Sequence, residues 1–141
     1  QRDDGGPAIA LVGDLAFRYD DSALMTPAAE EPPDLVIVVS DNDGGGIFSQ
    51  LEQGQPQFAE DFERVFGTPV QGDVAELARA CGVPVQVVNT AEQFRAAVVG
   101  ALDAGGLQVV VARTCSRAQE AAILVSIQAA VAEAVGTSVD R

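Results

Sequence analysis

At 141 residues, nearly half of them apolar, the chain is long enough for one domain with a real core and too apolar to be disordered. Its 21 acidic against 8 basic residues give a formal charge of −13, a surface that repels nucleic acid and anionic membranes. It contains no His, which excludes His acid–base catalysis, His metal ligands and a Ser-His-Asp triad.

The polar start, Gln1 to Pro7, has neither an initiator Met nor a signal sequence and reads as a cut inside a longer protein. Residues 7–13 read as a buried strand. Asp20 to Ala29 can form a short helix capped by Asp20 or Asp21. Glu31-Pro32-Pro33 turns the chain into a second apolar strand, 34–40, followed by a glycine-rich loop, 41–46. One or two helical turns are expected over 47–53. Phe58, Phe62, Val65 and Phe66 recur at helical spacing, so 58–66 reads as a helix with a core-facing stripe, ended by Gly67-Thr68-Pro69. Asp73 caps a helix over Val74 to Ala80 that Gly82 closes. A strand at 84–88, a helix at 91–103 begun by Asn89-Thr90, a strand at 107–112 and a helix at 117–135 packed on the sheet complete the order. Apolar strands alternating with helices predict an α/β fold, a doubly wound, mainly parallel sheet with helices on both faces, in one unit without a domain boundary. Cys81 and Cys115 form no CxxC and read as two reduced thiols of a cytoplasmic protein. No apolar run nears the ~18 residues of a membrane span, so no membrane segment is expected.

The chemistry is concentrated where two strands end. Ala8-Ile9-Ala10-Leu11-Val12 leads to Gly13-Asp14, and Leu35-Val36-Ile37-Val38-Val39 leads to Ser40-Asp41-Asn42-Asp43-Gly44-Gly45-Gly46-Ile47-Phe48. Open α/β sheets bind ligands at this edge. A carboxylate, a carboxamide and a loop carbonyl are hard ligands suited to Mg²⁺, and a glycine loop admits a phosphate. The chain has no Walker-type loop with its lysine, so a divalent cation must bridge any diphosphate to these acidic groups. Asp41 and Asp43 read as loop-forming residues rather than ligands. Gly45 and Gly46 read equally as positive-φ positions and as room for a cofactor. Tyr19 is either a buried hydrogen-bonding residue or a site residue, and Glu60, Asp61 and Glu63 form a solvated face.

Gly13-Asp14 and Asp41-Asn42-Asp43-Gly44, with Asp14 28 positions before Asn42, resemble the thiamine-diphosphate signature. With Leu15-Ala16-Phe17, Asp20, the GGGIF run 44–48 and Phe66-Gly67-Thr68-Pro69, the chain resembles the SEPHCHC synthases of menaquinone biosynthesis (the MenD family). The likeness covers the whole chain, 1–141, as the last part of that family's C-terminal diphosphate-binding domain. Arg113-Thr114-Cys115-Ser116-Arg117 loosely resembles the family's last strand and its basic residue. Tyr19 and Val70 stand where the family usually has His.

The resemblance implies a thiamine-diphosphate-dependent transferase of the transketolase/transaldolase class. Its reaction would decarboxylate 2-oxoglutarate and add the succinyl unit to isochorismate. It implies Mg²⁺ or Mn²⁺ held by Asp14, Asn42 and the Gly44 carbonyl. The cofactor would lie against Gly13, Asp14, Leu15, Asn42, Gly44, Gly45, Gly46 and Ile47. Ile47, Phe48 and Leu51 would form a dry wall of the catalytic pocket. An activating glutamate would come from an upstream pyrimidine-binding domain across a subunit interface, in a homodimer or homotetramer, so these 141 residues alone are expected to be inactive. Two other readings are another thiamine-diphosphate decarboxylase or acetohydroxyacid-synthase-like enzyme, and a non-catalytic α/β interaction module.

Overall fold

The computed structural model describes residues 6–139, with side chains through 136, so residues 1–5 of the polar start lie outside the described residues. Four strands form one parallel sheet in the order β1-β2-β4-β3: β1 (Ala8–Gly13), β2 (Leu35–Asp41), β3 (Val85–Val88) and β4 (Leu107–Arg113). The helices are α1 (Asp14–Tyr19), α2 (Ala59–Phe62), α3 (Val74–Ala80), α4 (Ala91–Ala104) and α5 (Arg117–Val139).

The central strands β2 and β4 are unbroken β-branched runs because both of their faces are covered. Val39, Val109 and Val111 point to one face and pack with Phe17, Leu24, Val74, Ala75 and Ala78, from α1, the turn after it and α3. Val36, Val38 and Val110 point to the other and pack with Val88, Ala97 and Ala101, mostly from α4. The sheet is therefore doubly wound. β1, expected to be buried, is an edge strand: Ile9 and Leu11 are exposed, and its inner and outer residues alternate.

Two compact units emerge, a division without a signal in the sequence. The sheet unit comprises Gln1–Asn42 and Val70–Thr114, and the second comprises Asp43–Pro69 and Cys115–Arg141. Within the sheet unit, the helix expected over Asp20 to Ala29 starts earlier, at Asp14, and a 3-10 turn follows at Asp21–Leu24. In the first turn of α1 the Asp14 carboxylate accepts the Leu15 amide (2.9 Å). The α3 cap is as expected: Asp73 Oδ1 accepts from Ala75 (2.6 Å) and Glu76 (3.4 Å). Thr90 likewise accepts from Gln93 at the start of α4. Cys81 packs against the core as a free thiol.

The second unit departs further from expectation. The turns over 47–53 are 3-10 segments, Gly46–Gln50 and Glu52–Gly54, and another follows at Pro56–Phe58. The helix expected over 58–66 is only α2 followed by a wide π turn, Glu63–Gly67. Phe58 and Val65 are exposed, while Phe62 and Phe66 are half-buried and pack ring to ring, so the aromatic stripe is a local cluster and not core. Glu63, expected on a solvated face, is paired with Arg117. Along α5, Ile123, Ile127, Val131 and Val135 are exposed, and Leu124 is half-buried. Its stretch Arg117–Gly136, mean hydropathy 1.3, is also long and apolar enough to cross a membrane. The expectation of no such stretch came from looking for an unbroken apolar run, whereas an averaged window tolerates Ser126, Gln128 and Glu133. The likeness is one of length and composition alone.

Candidate functional site

In the sheet unit, β1 and β2 deliver their last residues side by side. Gly13 pairs in register with Ser40 on strands ~4.8 Å apart, and Asp14 follows Gly13 as Asp41 and Asn42 follow Ser40. Asp14 and Asp41 are both buried, 4 % and 6 % exposed, and Asn42 is half-buried. A Cβ built on Gly13 would meet no other atom within 4 Å, so the edge beside Asp14 is open. This is the juxtaposition of Asp14 and Asn42 expected from the sequence.

Asp41 is not a loop residue. It is the last residue of β2 and is held at both ends. Arg113 Nη1 donates to its Oδ2 at 2.6 Å, and the Thr114 amide and hydroxyl donate to its carbonyl at 2.9 and 3.2 Å. The other arm of Arg113 donates to Asp73 Oδ2 at 2.5 Å, so one guanidinium ties the end of β2 to the start of α3. Burial pushes the Asp73 carboxyl up, but the Ala75 amide, the Arg113 charge and the Glu76 amide outweigh it and hold it below its ordinary value. Sequence reasoning missed this clamp. Its one signal was Arg113-Thr114 ending β4 beside Asp41, at the same edge.

In the second unit, Asp43 takes a left-handed conformation (φ 65°) and Gly44 a positive φ of 124°. The Gly44 carbonyl accepts the Gly46 amide at 2.8 Å. Gly45 and Gly46 are not at positive φ. The requirement at Gly45 is close backbone approach: its amide donates to the Gly67 carbonyl at 2.8 Å, and an added Cβ would lie 2.2 Å from the Phe66 carbonyl. A Cβ on Gly44 would lie 2.2 Å from the Gly67 carbonyl. The GGGIF and FGTP runs are thus two sides of one backbone clasp. Arg117, largely buried, sits over it and forks onto Glu63 (3.2 and 2.7 Å).

The expected wall residues are placed differently from one another. Phe48 packs on Phe66, centroids 5.5 Å apart, whereas Ile47 is 66 % exposed. Leu51 is also exposed, and its extended backbone (ψ 179°) ends the helical turn, so it does not share a helix face with Phe48. Tyr19, 84 % exposed, is not a buried hydrogen-bonding residue, and Val70 is exposed as well.

The donor set decides which ion suits these residues. Among the described residues, no three His, Cys, Asp or Glu side chains group into a metal cage. In the sheet unit, Asp14 and Asn42 are two hard oxygen donors, too few for a stand-alone site. They are the right kind for a hard divalent ion that takes its remaining oxygens from phosphate and water. Arg113 pairs with the neighbouring Asp41 and offsets its charge. These residues fit a metal-bridged diphosphate.

Known proteins resemble this chain in sequence and fold. Residues 2–112 match the family described as thiamine pyrophosphate enzyme, C-terminal TPP binding domain. The 2-succinyl-5-enolpyruvyl-6-hydroxy-3-cyclohexene-1-carboxylate (SEPHCHC) synthase of Saccharopolyspora erythraea is 51 % identical over 94 residues, 67 % of this chain and 17 % of the relative. That of Thermobifida fusca is 46 % identical over 136 residues, 96 % of this chain and 23 % of the relative. The chain thus spans about a fifth of the length of these curated relatives. Among solved structures, the thiamine diphosphate-dependent 4-hydroxybenzoylformate decarboxylase of Rhodococcus jostii superposes with a TM-score of 0.62 at 28 % identity, over 78 % of this chain and 20 % of that one. Benzoylformate decarboxylase from Polynucleobacter necessarius shares the fold, with a TM-score of 0.61 at 24 % identity over 79 % and 20 % of the two chains. With the doubly wound sheet and the acid–amide pair at its edge, this chain belongs to the family of C-terminal TPP binding domains of thiamine pyrophosphate enzymes.

Proposed function

We propose that residues 1–141 are the C-terminal part of the diphosphate-binding domain of a SEPHCHC synthase. The observation that carries this is the register of β1 on β2, which brings Asp14 and Asp41-Asn42 to adjacent strand ends at the edge where α/β sheets bind ligands. The 46 % identity to the Thermobifida fusca synthase over nearly the whole chain supports the choice of reaction.

Asp14 and the Asn42 carboxamide would hold Mg²⁺ or Mn²⁺, with the Gly44 carbonyl as a third oxygen donor. Gly13, Leu15, Gly45, Gly46 and Ile47 flank the cofactor. Bound thiamine diphosphate would supply an electron sink for the electron pair left when 2-oxoglutarate loses CO₂, before that carbon bonds to isochorismate. Ile47, Phe48 and Leu51 give that reaction an apolar wall and keep water from it. A pyrimidine-binding domain of a second subunit completes the site, in a homodimer or homotetramer in the cytoplasm. The protein is then a transferase of the transketolase class, and the 141-residue chain alone makes no product.

The test uses the complete protein with 2-oxoglutarate and isochorismate. SEPHCHC formation is expected, and Asp14→Ala is expected to weaken Mg²⁺-dependent cofactor binding by more than ~100-fold, beyond the range for residues that only support a ligand. Unchanged binding in Asp14→Ala would favour a non-catalytic interaction module. A second reading, a 2-oxoacid decarboxylase, draws on the likeness to 4-hydroxybenzoylformate decarboxylase. Aldehyde as the only product would select it.

A further inference from the structure

We infer that Arg113 is a positioning residue for the metal ligand Asn42, acting through Asp41. The inference rests on the reading of Asp14 and Asn42 as metal ligands. Asn42 is the first residue beyond β2, so its place is set by how firmly Asp41 is held. Asp41 is clamped by two consecutive residues of the neighbouring strand: Arg113 takes its carboxylate and Thr114 takes its carbonyl with both amide and hydroxyl. The second arm of Arg113 fixes the clamp to Asp73 at the start of α3. A planar guanidinium can serve two carboxylates in fixed directions, which an ammonium on a flexible stem does less well.

The clamp also sets the charge at the edge. Asp14 and Asp41 are both buried and follow paired residues of adjacent strands. Two uncompensated carboxylates there would repel, and Asp41 would compete with Asn42 for a cation. Engaged by Arg113, Asp41 is withdrawn from the ligand set, and the edge offers one carboxylate and one amide. That donor pair suits a cation whose charge is shared with a diphosphate, whereas two free carboxylates would favour the bare ion.

The test compares wild type, Arg113→Met, Arg113→Lys and the control Arg79→Met, which loses an exposed ion pair on α3, in the complete protein. The readouts are the Mg²⁺ concentration for half-maximal thiamine diphosphate binding and amide hydrogen exchange at 41–44. Arg113→Met is expected to raise the Mg²⁺ requirement ~10-fold or more, as removal of a group behind a metal ligand does. It should also speed exchange at 41–44 in the protein without cofactor or metal, with exchange across 36–39 unchanged. Arg113→Lys should recover part of both effects, and Arg79→Met should behave as wild type. Wild-type Mg²⁺ dependence in Arg113→Met would overturn the inference and leave the functional reading intact. Faster exchange across 36–39 as well as 41–44 would assign Arg113 to general stability and also overturn it. Mg²⁺-independent cofactor binding by wild type would remove the functional reading itself.

Discussion

The two units hold their loops and strand ends by different physics. At the sheet edge, side chains do it: Arg113 and Thr114 hold Asp41, beneath which Val39, Val110 and Val111 are fully buried. At the glycine loop, the backbone does it: Gly44 and Gly45 lie so close to Phe66 and Gly67 that no side chain fits. Beneath its loop the second unit has the Phe48–Phe66–Phe62 ring cluster and the Arg117–Glu63 fork. The difference teaches that a carboxylate at a strand end can be anchored by side chains of the sheet, while a loop carbonyl is anchored by close backbone contact.

This contrast is most sharply broken at the glycines. Gly44→Ala puts a Cβ against the Gly67 carbonyl at a positive φ, and should cost about 3 kcal/mol from overpacking and backbone strain together. Proteolysis and hydrogen exchange across 44–68 should report it while the sheet amides stay protected. Equal loss of protection in β2 and β4 would mean that the two units do not respond separately. In the sheet, Val110→Ala removes two buried methyl groups and should cost about 2 kcal/mol, read as a lower midpoint in denaturant.

Smaller effects separate the two salt-linked devices. Arg117→Met removes a fork whose carboxylate is mostly exposed, so about 1 kcal/mol is expected, with faster exchange at the Gly45 amide. Asp73 provides a pH probe for the sheet edge. Its carboxyl is held below its ordinary value in the fold, so its contribution is complete above the unfolded value, ~3.9, and is lost as pH falls through the lowered one. Thermal midpoints of Asp73→Asn should therefore lie below wild type near neutrality, and the two should converge below about pH 4. Parallel curves would remove Asp73 from the clamp. The exposed pairs Arg64–Asp61 and Arg79–Glu76 should matter least, at most about 0.5 kcal/mol each by double-mutant cycle.

Much of the sheet was legible in the chain itself. Runs such as Leu35 to Val39 and Leu107 to Val111 can be satisfied only in strands covered on both faces, and Asp73, Thr90 and Gly105 mark helix ends by local hydrogen bonding and turn chemistry. The second unit was less legible. Phe58, Phe62, Val65 and Phe66 show helical spacing, yet the segment beneath them divides into α2 and a π turn, because closure on the glycine loop overrides local periodicity. The exposed faces of β1 and α5 were invisible for a related reason: apolar pattern specifies what can be buried, not what is present to bury it.

The amino-acid sequence by itself determined the α/β order and the two strand ends that carry Asp14 and Asn42, because those depend on patterns spanning a few residues. Tertiary structure alone decided that β1 is an edge and that Asp41 belongs to Arg113 rather than to a loop. It also decided that Gly44 and Gly45 are glycines for the sake of Phe66 and Gly67. Each of these depends on which distant backbone or charge arrives next to a residue, and that is set only when the sheet register and the clasp have formed.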